Sequence, residues 1–123
     1  MADAKGMMDN ESPVFDPEDF LRRIDGDVEL CHEVLGIFLE ETPPLVAALI
    51  HGIKSQNSVA VERAAHTLKG AAANISAPRL HGLCQHLQSM VRKDAEADLA
   101  PMVAVFEKNF QDLDQTLRRY LKN

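Results

Sequence analysis

The chain has 123 residues, 46% of them hydrophobic and 26% charged, which suits one globular domain and is too short for two comfortable ones. Its net charge of −6 argues against wrapping a nucleic-acid backbone and disfavours an anionic membrane, since both call for clustered positive charge. Cys31 and Cys84 lie far apart without metal-ligand spacing, the N-terminus lacks a signal-peptide core, and no apolar run approaches the ~20 residues of a membrane span, so the chain reads as cytoplasmic with reduced, buried thiols.

Residues 1–14 mix Gly, Asp, Asn, Ser and Pro without periodicity. They are expected to form a disordered leader or linker ahead of a domain over 15–123. Order should begin at Phe15-Asp16-Pro17-Glu18-Asp19-Phe20. Asp16 can cap a helix, Pro17 suits its first position, and Phe15 and Phe20 stand at the spacing of a hydrophobic staple. Asp25-Gly26-Asp27 stops this short helix. A second helix starts near Asp27 and carries Leu30, Val34, Ile37, Phe38 and Leu45 as its apolar residues. Pro43-Pro44 predicts a kink or break within it, with Thr42 as the cap of a restart. The stretch fades at Gly52.

Asn57 or Ser58 can cap a third helix over about Val59–Ile75. Ser76 is a plausible cap for a fourth, with Pro78 in its first turn and Leu80, Leu83, Cys84, Leu87 and Val91 along it. The last helix begins near Asp98 and carries Met102, Val103, Phe106, Phe110, Leu113, Leu117 and Tyr120. Its final turn is basic, which suits a helix C-terminus. No segment alternates with period 2. The expected fold is therefore all-α: an antiparallel four-helix bundle with a short additional N-terminal helix.

The third helix carries the chemistry. Val61, Ala65, Leu68, Ala72 and Ile75 recur at steps of 4, 3, 4 and 3, a single stripe that should face the core. At about 100° per residue, His66 lies roughly 140° from the centre of that stripe. Gly70 lies opposite the stripe, with Ala73 close by and Lys69 at its flank. His66 is thus expected to point at water from a face with nothing bulky on it. Glycine in a helix interior costs about 1 kcal/mol relative to Ala, and packing does not call for it on an outward face. Access does: a bare position at i+4 lets another surface approach the imidazole. Lys69, at i+3, places a cation where an anionic group on the ring would sit. An exposed imidazole is a fair nucleophile at neutral pH, and phosphoryl transfer needs positioning and charge stabilisation more than an elaborate local catalyst. Glu62, one turn before His66, reads either as a hydrogen-bond partner that fixes the ring tautomer or as a weak surface contact, and the second is the simpler reading. His81 and His86, at i,i+5, face different ways, which disfavours zinc; no metal site is expected.

His66-Thr67-Leu68-Lys69-Gly70-Ala71-Ala72 resembles the H-x-L-K-G-x-[SA] signature of histidine phosphotransfer (HPt) domains, and the resemblance extends over residues 15–121. Phe38–Pro44 looks like the family's second-helix region, and Arg79–Gln88 looks like its fourth. The resemblance implies that His66 is the phosphoacceptor, Lys69 the phosphate-side cation and Gly70 the clearance residue; Ala73, a small residue beside His66, reads as surface filler or as docking surface, and docking is the favoured reading. It implies that Gln88 hydrogen-bonds the imidazole; read from sequence alone, Gln88 is a polar residue on the fourth helix that could equally be a solvated amide. Ser76 stands where the family usually has Gly, which places the turn geometry in question because Ser tolerates a left-handed backbone poorly. The implied function is a phosphorelay intermediate. It takes a phosphoryl group from one receiver domain's phospho-aspartate and passes it to another receiver. Mg²⁺ is expected on the receiver, and the chain is expected to be a monomer with no cofactor of its own. A hybrid sensor histidine kinase is a further expected partner. The alternative is a module phosphorylated directly by a separate histidine-kinase ATP-binding domain. Neither a Walker A loop nor a GxGxxG run is present, so no ATP-dependent activity of its own is expected. A receiver-binding scaffold without transfer and a small general-base enzyme are weaker readings; the second needs a polar pocket that an Ala/Gly face does not offer.

Overall fold

The computed structural model describes residues 12–122, and all the regular structure among them is helical. Helix α1 spans Pro17–Arg23, α2 Val28–Lys54, α3 Ser58–Asn74, α4 Pro78–Lys93 and α5 Ala100–Lys122. Short turns at 55–57 and 75–77 force α2, α3 and α4 to run alternately up and down. Helix α5 closes the ring by packing on both α4 and α2. Residues 1–11 of the expected leader lie outside the described residues. Ser12 and Pro13 are tied to α4, their carbonyls accepting from Arg79 Nε at 3.0 Å and Arg79 N at 3.2 Å.

The helix starts follow from local chemistry. Asp16 accepts from Asp19 N at 3.1 Å, Asp27 from Leu30 N at 3.0 Å and Asn57 from Ala60 N at 3.1 Å. Each satisfies one of the N–H groups that a helix start leaves unpaired. The staple forms, with Phe15 and Phe20 ring centroids 6.2 Å apart. Phe15 also meets the Tyr120 ring edge-on at 5.4 Å, which ties α1 to the last turn of α5.

Helix α2 corrects the sequence reading in two ways. Of the kink or break expected at Pro43-Pro44 the break is absent: α2 runs unbroken through both, and Thr42 is a buried helix residue rather than a cap. Both prolines are exposed. Each costs about 3 kcal/mol in a helix interior. That is offset by the buried stripe Cys31, Leu35, Phe38, Val46, Leu49 and Ile53, where a fully buried large apolar side chain contributes about 1.5–3 kcal/mol. This stripe is also the second correction, because Leu30 and Ile37 are exposed. The helix is apolar on more than one side, and an 18-residue window within it averages a mean hydropathy of 1.4, enough to cross a membrane by length and composition. Here it packs as a bundle helix. It reaches Lys54, past Gly52, where a Cβ would lie 3.1 Å from Val61 Cγ2. The bare Gly52 backbone is what lets α2 approach α3 so closely.

The expected core stripes of α3 and α4 are buried throughout. On α5, Met102, Phe106, Leu113 and Leu117 are buried, with Val103, Phe110 and Tyr120 partly so. Both cysteines are free and buried, and loss of water pushes the Cys84 thiol up to about 12. The thiolate is the reactive form. Cys84 is therefore expected to resist a thiol-specific disulfide reagent at pH 7 until denaturant is added. A labelling time course that modifies Cys84 rapidly in the native protein would contradict this packing.

Candidate functional site

The buried stripe of α3 turns the opposite face of that helix outward, and His66 lies on it, exposed to solvent. Gly70, one turn on, is exposed too, and a Cβ built there would meet nothing within 4 Å. Lys69 is half-buried and lines a shallow groove between α3 and α4 with Gln85, Gln88, Ser89, Arg92 and Lys93. Lys69, Arg92 and Lys93 bring three cationic side chains to this groove, with Arg92 paired to Glu62. Such a groove attracts an anion through charge and through its amide and hydroxyl donors.

Gln88 departs from its expected role. Its side chain is almost wholly buried, at 2% exposure, so it is not a solvated amide. Its Nε2 donates to Glu62 Oε2 at 3.2 Å, not to the imidazole. The same Glu62 oxygen accepts from Arg92 Nη2 at 2.6 Å and from Arg92 Nε at 3.1 Å. Glu62 Oε1 and Gln88 Oε1 are buried and accept no hydrogen bond. The Arg92 guanidinium is the main cause that holds the Glu62 carboxyl below its usual range, and attraction to His66 adds to it. Glu62 makes no hydrogen bond to His66, in keeping with the weak contact that sequence favoured for that pair; its firm partners are Arg92 and Gln88. Arg92 went unnoticed, although its position one turn after Gln88 puts both on the α4 edge that faces Glu62.

Ala73 is half-buried beside the α3–α4 turn. Its carbonyl accepts from Arg23 Nη1 at 2.6 Å, so the expected docking residue also anchors α1. Ser76 resolves the turn. It adopts the left-handed backbone at φ +59°, and Ala77, not Ser76, stands at the cap of α4 without a side-chain bond. Its hydroxyl donates to Asp19 Oδ2 at 2.7 Å and accepts from Arg23 Nη1 at 3.2 Å. Asp16 N donates to the Ser76 carbonyl at 2.9 Å. A left-handed residue other than glycine costs roughly 1–2 kcal/mol, and these bonds to α1 offset it. The hydroxyl is the largest cause lowering the Asp19 carboxyl below its ordinary range.

The geometry agrees with comparisons to known proteins. The family model of the Hpt domain matches residues 33–117. A crystal structure of the HPT domain from a Shewanella Hpt sensor hybrid histidine kinase superposes with a TM-score of 0.78, covering 89% of this chain and 94% of that one at 19% identity. At that identity the likeness speaks for the fold. No curated protein matches. With the family match spanning most of the chain and an exposed histidine at the centre of the matched region, the chain belongs to the Hpt domain family, the histidine phosphotransfer modules of two-component signalling.

Proposed function

We propose that the chain is a phosphorelay intermediate. His66 Nε2 attacks the phosphorus of a receiver's phospho-aspartate, a P–N bond forms, and the aspartyl oxygen leaves with the electron pair. In the second half, a carboxylate oxygen of another receiver attacks and the P–N bond breaks. The receivers bring Mg²⁺ and most of the catalytic groups. This chain brings the nucleophile, Lys69 as the near cation, and the low surface around Gly70 and Ala73. It acts as a monomer in the cytoplasm, where its two thiols stay reduced.

The observation that carries the reading is the bare approach to His66: an exposed ring, open space at Gly70 and Lys69 one turn away. The test is a pulse and chase. A receiver carrying labelled phospho-aspartate is mixed with the chain, and an excess of a second, unlabelled receiver follows. Acid-labile, alkali-stable label should appear on the chain and then drain to the second receiver. Label that enters only from ATP and a histidine-kinase catalytic domain, and never from a receiver, would overturn the relay in favour of direct phosphorylation.

A further inference from the structure

We propose that Glu62 is a positioning residue for His66: a turn of the exposed ring brings Nδ1–H to Oε1, and that bond fixes the tautomer that leaves Nε2 free to attack phosphorus. The inference rests on His66 being the phosphoacceptor.

An observation and a rule of helix geometry support it. One is the unequal use of the Glu62 carboxylate. Oε2 is saturated by Arg92 and Gln88, while Oε1 is buried and takes no donor. A buried carboxylate oxygen without a donor is costly, so it should sit where a donor can reach it. The other is helix geometry. A side chain on an α-helix leans back over the turn before its own Cα. The His66 ring can therefore lean toward Glu62, which occupies position i−4 of α3. Nδ1 is the ring nitrogen nearer the backbone, so it is the one within reach of Glu62 when the ring turns, and Nε2 is the one left facing the partner.

This arrangement has a second consequence for transfer. When the Nε2 lone pair forms the P–N bond, the imidazole takes on positive charge shared by both nitrogens. The Nδ1 proton stays on the ring, and a carboxylate beside it stabilises that charge. A carboxylate behind a catalytic histidine acts in the same way in hydrolytic triads, by tautomer and charge rather than by taking the proton. Gln88 then acts through Glu62 instead of on the ring. Together with Arg92 it holds Oε2 and leaves Oε1 without a donor.

The informative variants are Glu62→Gln and Glu62→Ala. In Glu62→Gln the side-chain oxygen remains with Arg92, because Arg92 can only donate. The amide NH₂ then takes the place of Oε1, and it offers a donor to Nδ1. The ring must answer with the Nε2–H tautomer, which blocks the nucleophile. Glu62→Ala removes the acceptor without imposing the wrong tautomer. The readouts are the tautomer, from ¹⁵N spectra of the imidazole in the free chain, and the rate of His66 phosphorylation by the small donor phosphoramidate and by a phospho-receiver. The wild type should show Nδ1–H. Phosphorylation should rank wild type, then Ala, then Gln, with Gln slower by roughly tenfold or more, the scale of a hydrogen bond to a charged group. A merely structural role would place the isosteric Gln nearer to wild type than Ala. An Nε2–H tautomer in the wild type, or a Gln variant with wild-type tautomer and rate, would overturn the proposal. A wild type that shows Nδ1–H and takes label from phosphoramidate but from no receiver would instead remove the relay and leave the Glu62 bond standing.

Discussion

His66→Gln is expected to take up no acid-labile label from a phospho-receiver, at any time point at which the wild type is saturated. The glutamine amide has no lone pair of comparable nucleophilicity, and the nearby groups cannot replace the ring. Lys69 carries an ammonium, which must lose a proton before it can attack. His81 and His86 belong to α4, not to the outward face of α3. The substitution should leave the fold intact. His66 is exposed, and a surface change of this kind shifts stability by within about 0.5 kcal/mol. The thermal unfolding midpoint and the far-ultraviolet circular dichroism should therefore match the wild type. The variant should still bind receivers, because the proposed docking face around Gly70 and Ala73 is unchanged. Label on the variant in the same phosphoramidate-type linkage would show that another nitrogen is the acceptor and would defeat the assignment. Loss of both label and folded structure would point to a structural histidine instead, which its exposure argues against.

The parts of this molecule that were legible in sequence are those decided locally. Asp16, Asp27 and Asn57 cap helices because a short side-chain acceptor needs only the next three residues to find its donor. The orientation of α3 was legible because its apolar residues fall on one stripe, which fixes the opposite face as well. Helix α2 was not legible in the same way. Val28, Leu30 and Ile37 are as apolar as Cys31, Leu35 and Phe38, yet only the second set is buried. With apolar residues on several faces, the phase of the helix is chosen by its neighbours, and pattern alone does not rank the faces. The helix continues through the two prolines for a related reason: tertiary packing outweighs a local penalty. Two arrangements at the site depend on residues remote in sequence. Ser76 keeps its left-handed backbone because Asp19 and Arg23 of α1 reach it. Gln88 is drawn from its expected partner because Glu62 and Arg92 form an ion pair across α3 and α4. Neither contact has a signature in the residues beside it.

Gly70 separates what the helix wants from what the partner needs, and substitutions there should pull the two apart. An added Cβ meets nothing within 4 Å, so Gly70→Ala should stabilise the bundle by roughly 0.5–1 kcal/mol through helix propensity alone. Gly70→Trp should fold as well, since any ordinary residue outranks glycine in a helix interior. Its bulk, however, stands one turn from His66 on the face a receiver must cover. A displacement of about 1 Å at reacting atoms can cost on the order of 10²-fold in rate, and an indole is thick enough to impose that. Transfer from a phospho-receiver to Gly70→Trp should fall by about that factor, while Gly70→Ala loses far less. Phosphoramidate, a small donor that does not have to dock, should label His66 in the Trp variant at close to the wild-type rate. This contrast is what distinguishes steric clearance from damage to the nucleophile. If the Trp variant accepts phosphate from a receiver as fast as the wild type, the open surface at Gly70 has no part in docking. If both donors slow equally, the substitution has disturbed the ring itself, and the glycine is there for the imidazole rather than for the partner.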